Sequence, residues 1–279
     1  MYRNLLVHIP TERPARAAVD ASVSLALSCN AHVDAVAAGL ESTSLVTPAA
    51  VDGGAAVAAI YESEAEDALQ RANAALSLFE LEAGNAGIAY HCRAISGSFG
   101  EAAAMLGQMA RVHDLTIVEQ PELDYSTFDN RIPQEILFQS GGPVLFIPYI
   151  FHGAFSAARI GICWDGSRLA ARAIRDAMPF LRRADTLIAI TVNGADVPPE
   201  SSQDQFVKYL SSLGLHAKML SLDVDHAVIQ SAILSIASDE NLDLLVMGGY
   251  GHSRLQETIL GGVTRGMFRS MTVPTLMSH

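Results

Sequence analysis

Several features that would place this chain quickly are scarce in it. Its 279 residues hold one Trp and three Cys. Cys29, Cys92 and Cys163 stand far apart in apolar surroundings, so neither a disulfide framework nor a Cys-based metal spacing can be read from them. They read as buried free thiols of a reducing compartment. No run of about 18 uninterrupted apolar residues exists, which argues against a membrane-spanning helix. The most apolar stretch, Val144–Phe151, is short and contains Pro148. The opening segment has no signal-peptide pattern, because Asn4–Ile9 already reads as a strand, and a cytoplasmic protein is expected. Basic residues are few: 18 Lys and Arg face 30 Asp and Glu, for a net charge of −12. No stripe is left to neutralise nucleic-acid phosphates, which argues against a general nucleic-acid binder.

Chemical motifs are sparse too. The nine His show no metal-ligand spacing, and strand alternation sends His91 and Cys92 to opposite faces. There is no Gly-x-Ser-x-Gly elbow and no Gly-Lys-Ser/Thr phosphate loop. Without a loop Lys or an evident base, efficient phosphoryl transfer has no visible machinery.

What is abundant is apolar residue. Half the chain is hydrophobic, mean hydropathy is +0.25, and the length suits about two ordinary domains. The halves repeat. Leu5, Val7, Arg13, Ala15, Ala18 and Val19 fall opposite Ile160, Ile162, Arg168, Ala170, Ala173 and Ile174 at a constant offset of 155. Asp114-Leu115 echoes Asp243-Leu244, and Pro143 echoes Pro274. Self-similarity of this length indicates a duplicated domain, with expected boundaries 1–150 and 157–279. Phe151–Ser156 is the linker, short and partly apolar, so the halves are expected to pack tightly.

Each half alternates strand and helix. In the first, strands are expected at Leu5–Ile9, Val33–Ala37, Ile88–Cys92, Leu115–Val118 and Val144–Ile147. Helices fall between them, one carrying a stripe from Tyr61 to Phe79 with Gly84 as its stop. Glu41–Gly54 reads as an irregular loop. The second half runs through strands Ile160–Trp164, Leu187–Val192, Ala217–Leu222, Asp243–Met247 and Thr275–Met277, with one helix expected over Ser167–Leu181. Alternating βα units require parallel strands with helices on both faces. Ligands of such sheets sit outside the carboxyl ends of the strands, which puts Asp165 and the turn at Gly248 on one rim.

That turn is the richest stretch of the chain. The apolar run Leu244–Met247 leads into Gly248, with Gly251 three residues on and Gly261-Gly262 opening a segment of helical spacing. Glycines let backbone approach a guest closely. The N–H groups of a helix start carry about half a positive charge, so an anion such as phosphate suits them.

These residues resemble the universal stress protein family in its tandem form, over nearly the whole chain, weakly in the first half and well in the second. Gly248, Gly251 and Gly261 fit the family's Gly-x2-Gly-x9-Gly signature, which continues in Ser or Thr. Trp164-Asp165-Gly166-Ser167 is similar to the family's first-strand ending, where an acidic residue meets the nucleotide, and Val192 falls where members contact adenine. The resemblance implies two Rossmann-like or flavodoxin-like domains, each a five-stranded parallel sheet. They would pair through their last strands as an intramolecular pseudo-dimer, with a further homodimer left open. It implies ATP or a related adenine nucleotide in the second half, accompanied by Mg²⁺. Asp165 would meet adenine or ribose, and Trp164, Val192 and Met247 would border the base. Gly248, Gly251, Gly261, Gly262 and Val263 would offer backbone donors to phosphate.

Two departures bear on that expectation. Gly262 replaces the family's Ser or Thr, and Thr264 lies two residues too far on. A lost hydroxyl contact weakens phosphate binding by roughly ten- to a hundredfold. In the first half Pro10 stands opposite Asp165, and the glycine turn is replaced by Glu119-Gln120-Pro121-Glu122-Leu123-Asp124. The carboxylates of Glu119, Glu122 and Asp124 would repel phosphate, so one nucleotide site per chain is expected. The same residues also fit plainer roles. The glycines suit tight turning, Asp165 a helix start, Val192 and Met247 core at strand ends, and His252 and Arg254 a solvated loop. Trp164 suits either a ligand or the filling of a crevice. A ligand-free scaffold and a slow ATPase therefore stand beside the nucleotide-responsive module.

Overall fold

The computed structural model describes residues 1–41, 54–122, 127, 130–249 and 262–279, the side chains of 54–58 excepted. The first half runs β1 (Asn4–Ile9), α1 (Arg16–Cys29), β2 (His32–Leu40), α2 (Gly54–Ala86), β3 (Tyr90–Gly97), α3 (Phe99–Ala110), β4 (Leu115–Glu119), α4 (Ile132–Gln139) and β5 (Val144–Ile147). The second runs β6 (Arg159–Cys163), α5 (Arg168–Asp176), α6 (Met178–Leu181), β7 (Thr186–Val192), α7 (Gln203–Ser212), β8 (Ala217–Leu222), α8 (Ile229–Asp239), β9 (Leu244–Gly248), α9 (Val263–Ser270) and β10 (Thr275–Ser278).

All ten strands form one sheet in the order β3-β2-β1-β4-β5-β10-β9-β6-β7-β8. Every pairing is parallel except β5 with β10, where Leu276 lies opposite Leu145. The strand order of one half thus mirrors that of the other about this central pair. The period-two alternation decides which residues face which layer. Leu5, Val7 and Ile9 face a core shared with α1 and α2, and Leu6 faces a core shared with α3 and α4. The second half repeats this, with α5, α6 and α7 on one face and α8 and α9 on the other.

Several element boundaries differ from the sequence reading by a few residues, and three of the differences are informative. The helix expected over Ser167–Leu181 breaks at Ala177 into α5 and α6, because Pro179 supplies no backbone donor and its ring crowds the preceding turn. Gly84 does not stop α2, which runs on to Ala86 and turns at Gly87 with φ of 67°. One glycine costs only about 1 kcal/mol in a helix interior, and Phe79 and Ala83 are buried against the sheet. β3 begins later and runs longer than expected because it follows β2 in register from Val33↔Tyr90 to Leu40↔Gly97. Of the expected loop Glu41–Gly54, residues 42–53 lie outside the described residues.

Contacts between the halves extend beyond the central strand pair. In the linker, Gly153 N–H donates to the Asp20 carboxylate at 3.2 Å and Phe155 N–H to the Ser24 hydroxyl at 2.9 Å. The Phe155 ring meets Phe180, which also takes the edge of Tyr2 at 4.9 Å. The Tyr2 hydroxyl donates to the Asp176 carbonyl at 2.7 Å.

Candidate functional site

The strand order reverses between β6 and β9, where Ile162 pairs with Val246. Beyond the ends of these two strands lie Asp165 and Gly248, so the residues singled out in sequence do share a rim. Ser167 caps α5 by accepting from Ala170 N–H at 3.1 Å, and the exposed Asp165 carboxylate accepts from Ser167 N–H at 2.9 Å. Gly166 sits between them at φ 73°, a conformation side chains resist. A Cβ there would come within 2.6 Å of the Ser201 hydroxyl.

Trp164 is committed to packing. Its ring stacks on Phe206 with centroids 4.3 Å apart and planes at 12°. Its indole N–H donates to the Ser201 carbonyl at 2.7 Å. Val192 is half-buried at the end of β7, and Met247 is 6% exposed in the same core layer. Burial drives the Cys163 thiol up to about 12, helped by the neighbouring Asp165 carboxylate, so it stays protonated.

Gly248 has its own reason to be glycine. A Cβ would lie 2.8 Å from Ala170 N and 2.9 Å from Leu169 C, so β9 abuts the first turn of α5. Gly249 continues the strand pairing, its N–H donating to the Ser278 carbonyl at 2.9 Å. Gly262 is the N-cap of α9 in an extended conformation, with no side chain capping it among the described residues, and Val263 opens the helix half-buried. Thr264 is buried at 4% exposure. Gly251 and Gly261, with His252 and Arg254, lie outside the described residues.

The corresponding rim of the first half is built differently. Matching β4 to β9 through their pairings puts Glu119 at the place of Gly248 and Gln120 at that of Gly249. Glu119 is 1% exposed, and its carboxylate accepts from Ala18 N–H, in the first turn of α1, at 3.1 Å. It thus caps the start of α1, the counterpart of α5. Arg13, with 7% of its side chain exposed, lies 3.5 Å from that carboxylate and donates to the Gln120 carbonyl at 2.7 Å. Glu119, which the sequence reading expected to repel phosphate, is held by Ala18 N–H and Arg13. Glu122 sits 3.9 Å from Arg13, and Asp124 lies outside the described residues. An open cleft of ≈ 320 Å³ runs between the β1–α1 turn and α2, lined in part by Arg13 and Arg71. Both guanidinium groups already have protein partners there, Arg71 donating to the Leu40 carbonyl at 2.8 Å.

Two polar features had no signal in the sequence. His8 on β1 is fully buried with both ring nitrogens unpartnered, and burial, aided by Arg13, lowers it to about 3. At the other end of the sheet Asp34 accepts from His113 at 2.8 Å and His32 at 3.0 Å. Burial raises the Asp34 carboxyl, but the two histidine hydrogen bonds outweigh it and hold it below the usual carboxylate range. The His113 contact joins residues 79 apart in sequence, which motif spacing cannot anticipate.

An open parallel α/β sheet with a glycine turn at its switch point belongs to the class of folds that bind ligands beyond the strand ends. The model of the universal stress protein family matches residues 157–279. Those residues are a universal stress protein domain. A universal stress protein of Methanocaldococcus jannaschii is 28% identical over 79 residues, spanning 28% of this chain and 46% of that protein. One from Synechocystis is 26% identical over 143 residues, spanning 48% of this chain and 46% of that protein. The chain thus spans about half the length of these curated relatives. Among solved structures, a universal stress protein from Archaeoglobus fulgidus superimposes with a TM-score of 0.71 at 14% identity, over 98% of this chain and 95% of that one. At that identity the likeness speaks for the fold, and it extends through the first half.

Proposed function

We propose that the chain is a tandem universal stress protein whose second half binds an adenine nucleotide, ATP with Mg²⁺, and serves as a cytoplasmic nucleotide-responsive module. The domains are 1–150 and 157–279, joined through β5 and β10 as an intramolecular pseudo-dimer. One observation supports this reading: Asp165 and the strand-end glycine Gly248 lie beyond β6 and β9, between which the strand order of the second half reverses. Asp165 reads adenine or ribose, Val192 and Met247 border the base, and Gly248, Gly251, Gly261, Gly262 and Val263 face the phosphates. Trp164 supports the wall through Phe206 and does not stack on the base. The first half takes no nucleotide in this reading, because Glu119 stands where the second half has the strand-end glycine Gly248.

A second reading, the ligand-free scaffold, is favoured by one contact. Gly248 is required by the approach of Ala170 alone, so its presence does not demand a guest. Melting with and without Mg-ATP separates the two. Ligand at about a hundredfold its Kd stabilises the fold by about 2.7 kcal/mol. The nucleotide reading expects an upward shift in Tm that Asp165→Ala reduces. No shift at millimolar Mg-ATP leaves the scaffold. Phosphate release that survives removal of contaminating ATPases and disappears in Asp165→Ala would instead make it a slow hydrolase.

A further inference from the structure

α9 has two ends with different owners. Its start, Gly262-Val263, is the end that meets phosphate in the nucleotide reading above. Its end is held by the first half. The Gln120 side-chain amide donates to the Phe268 carbonyl at 2.7 Å, one of the last carbonyls of α9, which have no acceptor role left within a helix that stops at Ser270. Gln120 is fully buried and is itself fixed in place. Its N–H donates to the Ile147 carbonyl at 2.7 Å, and its carbonyl accepts from Arg13. The Phe268 ring packs on Phe146 of β5 with centroids 4.7 Å apart. In the other direction the second half's Arg172 donates to the Gly141 carbonyl, just beyond the end of α4. Gly249, which matches Gln120, has no side chain to offer, and only a Cβ built there would touch Leu137 of α4, at 3.0 Å. Of the mirrored pair Gln120 and Gly249, only Gln120 has a side chain to send a hydrogen bond across the central strands.

We propose that Gln120 is a positioning residue through which the first half sets the phosphate-facing start of α9. The turn that lost its glycines in the first half has been put to a second use: Glu119 closes its own helix start, and Gln120 secures the partner half's helix. α9 is only eight residues long. Tilting so short a rod at its far end displaces the amides at its near end by a comparable distance. The inference rests on the nucleotide reading above, in which α9 meets phosphate and the base lies elsewhere.

The test is Gln120→Met, which keeps most of the volume and removes the donor. Calorimetry with Mg-ATP and with adenosine reads affinity, and amide hydrogen exchange over 263–270 reads the helix itself in the free protein. The expected result is Mg-ATP affinity weakened about tenfold, adenosine affinity unchanged, and faster exchange in α9. Equal weakening of both ligands would mean general damage and overturns the proposal, as does unchanged Mg-ATP affinity. If the wild type binds neither ligand, the nucleotide reading fails by itself. Unchanged exchange over 263–270 overturns the hold of Gln120 on α9 whatever the ligand result.

Discussion

His8 provides the sharpest quantitative test of the packing. It is fully buried on β1, neither ring nitrogen has a partner, and its pKa falls from 6.5 to about 3. Only the neutral ring fits this site, whereas the unfolded chain protonates freely. Below about pH 6.5 the unfolded state binds a proton that the native state refuses, so stability falls with pH. The loss begins near 6.5 and ends near 3, where the native ring also charges. Each pH unit in this window removes about 1.4 kcal/mol, so at about pH 4.5 the penalty is about 3 kcal/mol. His8→Leu removes the titrating group at similar volume. At about pH 7.5 it should leave stability unchanged or raised, since the unpaired nitrogens contribute nothing favourable. Urea unfolding of both proteins at these two pH values measures the difference. The variant should exceed the wild type by about 3 kcal/mol more at the acid pH. Parallel stability-pH curves would refute the reasoning, because the ring would then be hydrated or paired in the native state.

Two further outcomes follow from the two rims. Arg13→Met leaves the buried Glu119 carboxylate without its arginine and should cost about 3–5 kcal/mol in urea unfolding. Adding Glu119→Gln should recover much of that, and strictly additive losses would contradict the coupling. Gly262→Ser restores the hydroxyl the family carries, in an N-cap conformation that any residue adopts. It should raise Mg-ATP affinity by roughly ten- to a hundredfold, read by calorimetry. A variant more stable but no tighter would show a cap serving only the helix.

The first half shows how far residue patterns reach. That Glu119 stands where the second half has glycine is legible in the repeat, and so is the expectation that nucleotide is excluded there. What the carboxylate does there is not legible. The carboxylate could face a phosphate or turn inward to Ala18 N–H, and only the position of α1 relative to β4 decides. Trp164 is similar. Its sequence neighbours suit base stacking as well as packing, and its stacking partner in the fold, Phe206, lies more than forty residues away. The sequence spacing of Gly248 likewise suggested a guest, while the tertiary approach of Ala170 supplies a reason internal to the fold.

The sequence by itself determined the alternation of strand and helix, the duplication, the family of the second half and the rim on which a ligand would sit. These follow from periodicity, turn chemistry and a signature, each written within one local stretch or its copy. The tertiary structure alone decided which polar groups find distant partners: Glu119 with α1, Gln120 with α9, Asp34 with His113, and His8 with none among the described residues. Burial and pairing depend on which distant elements meet, and a linear pattern records the elements without the contacts between them.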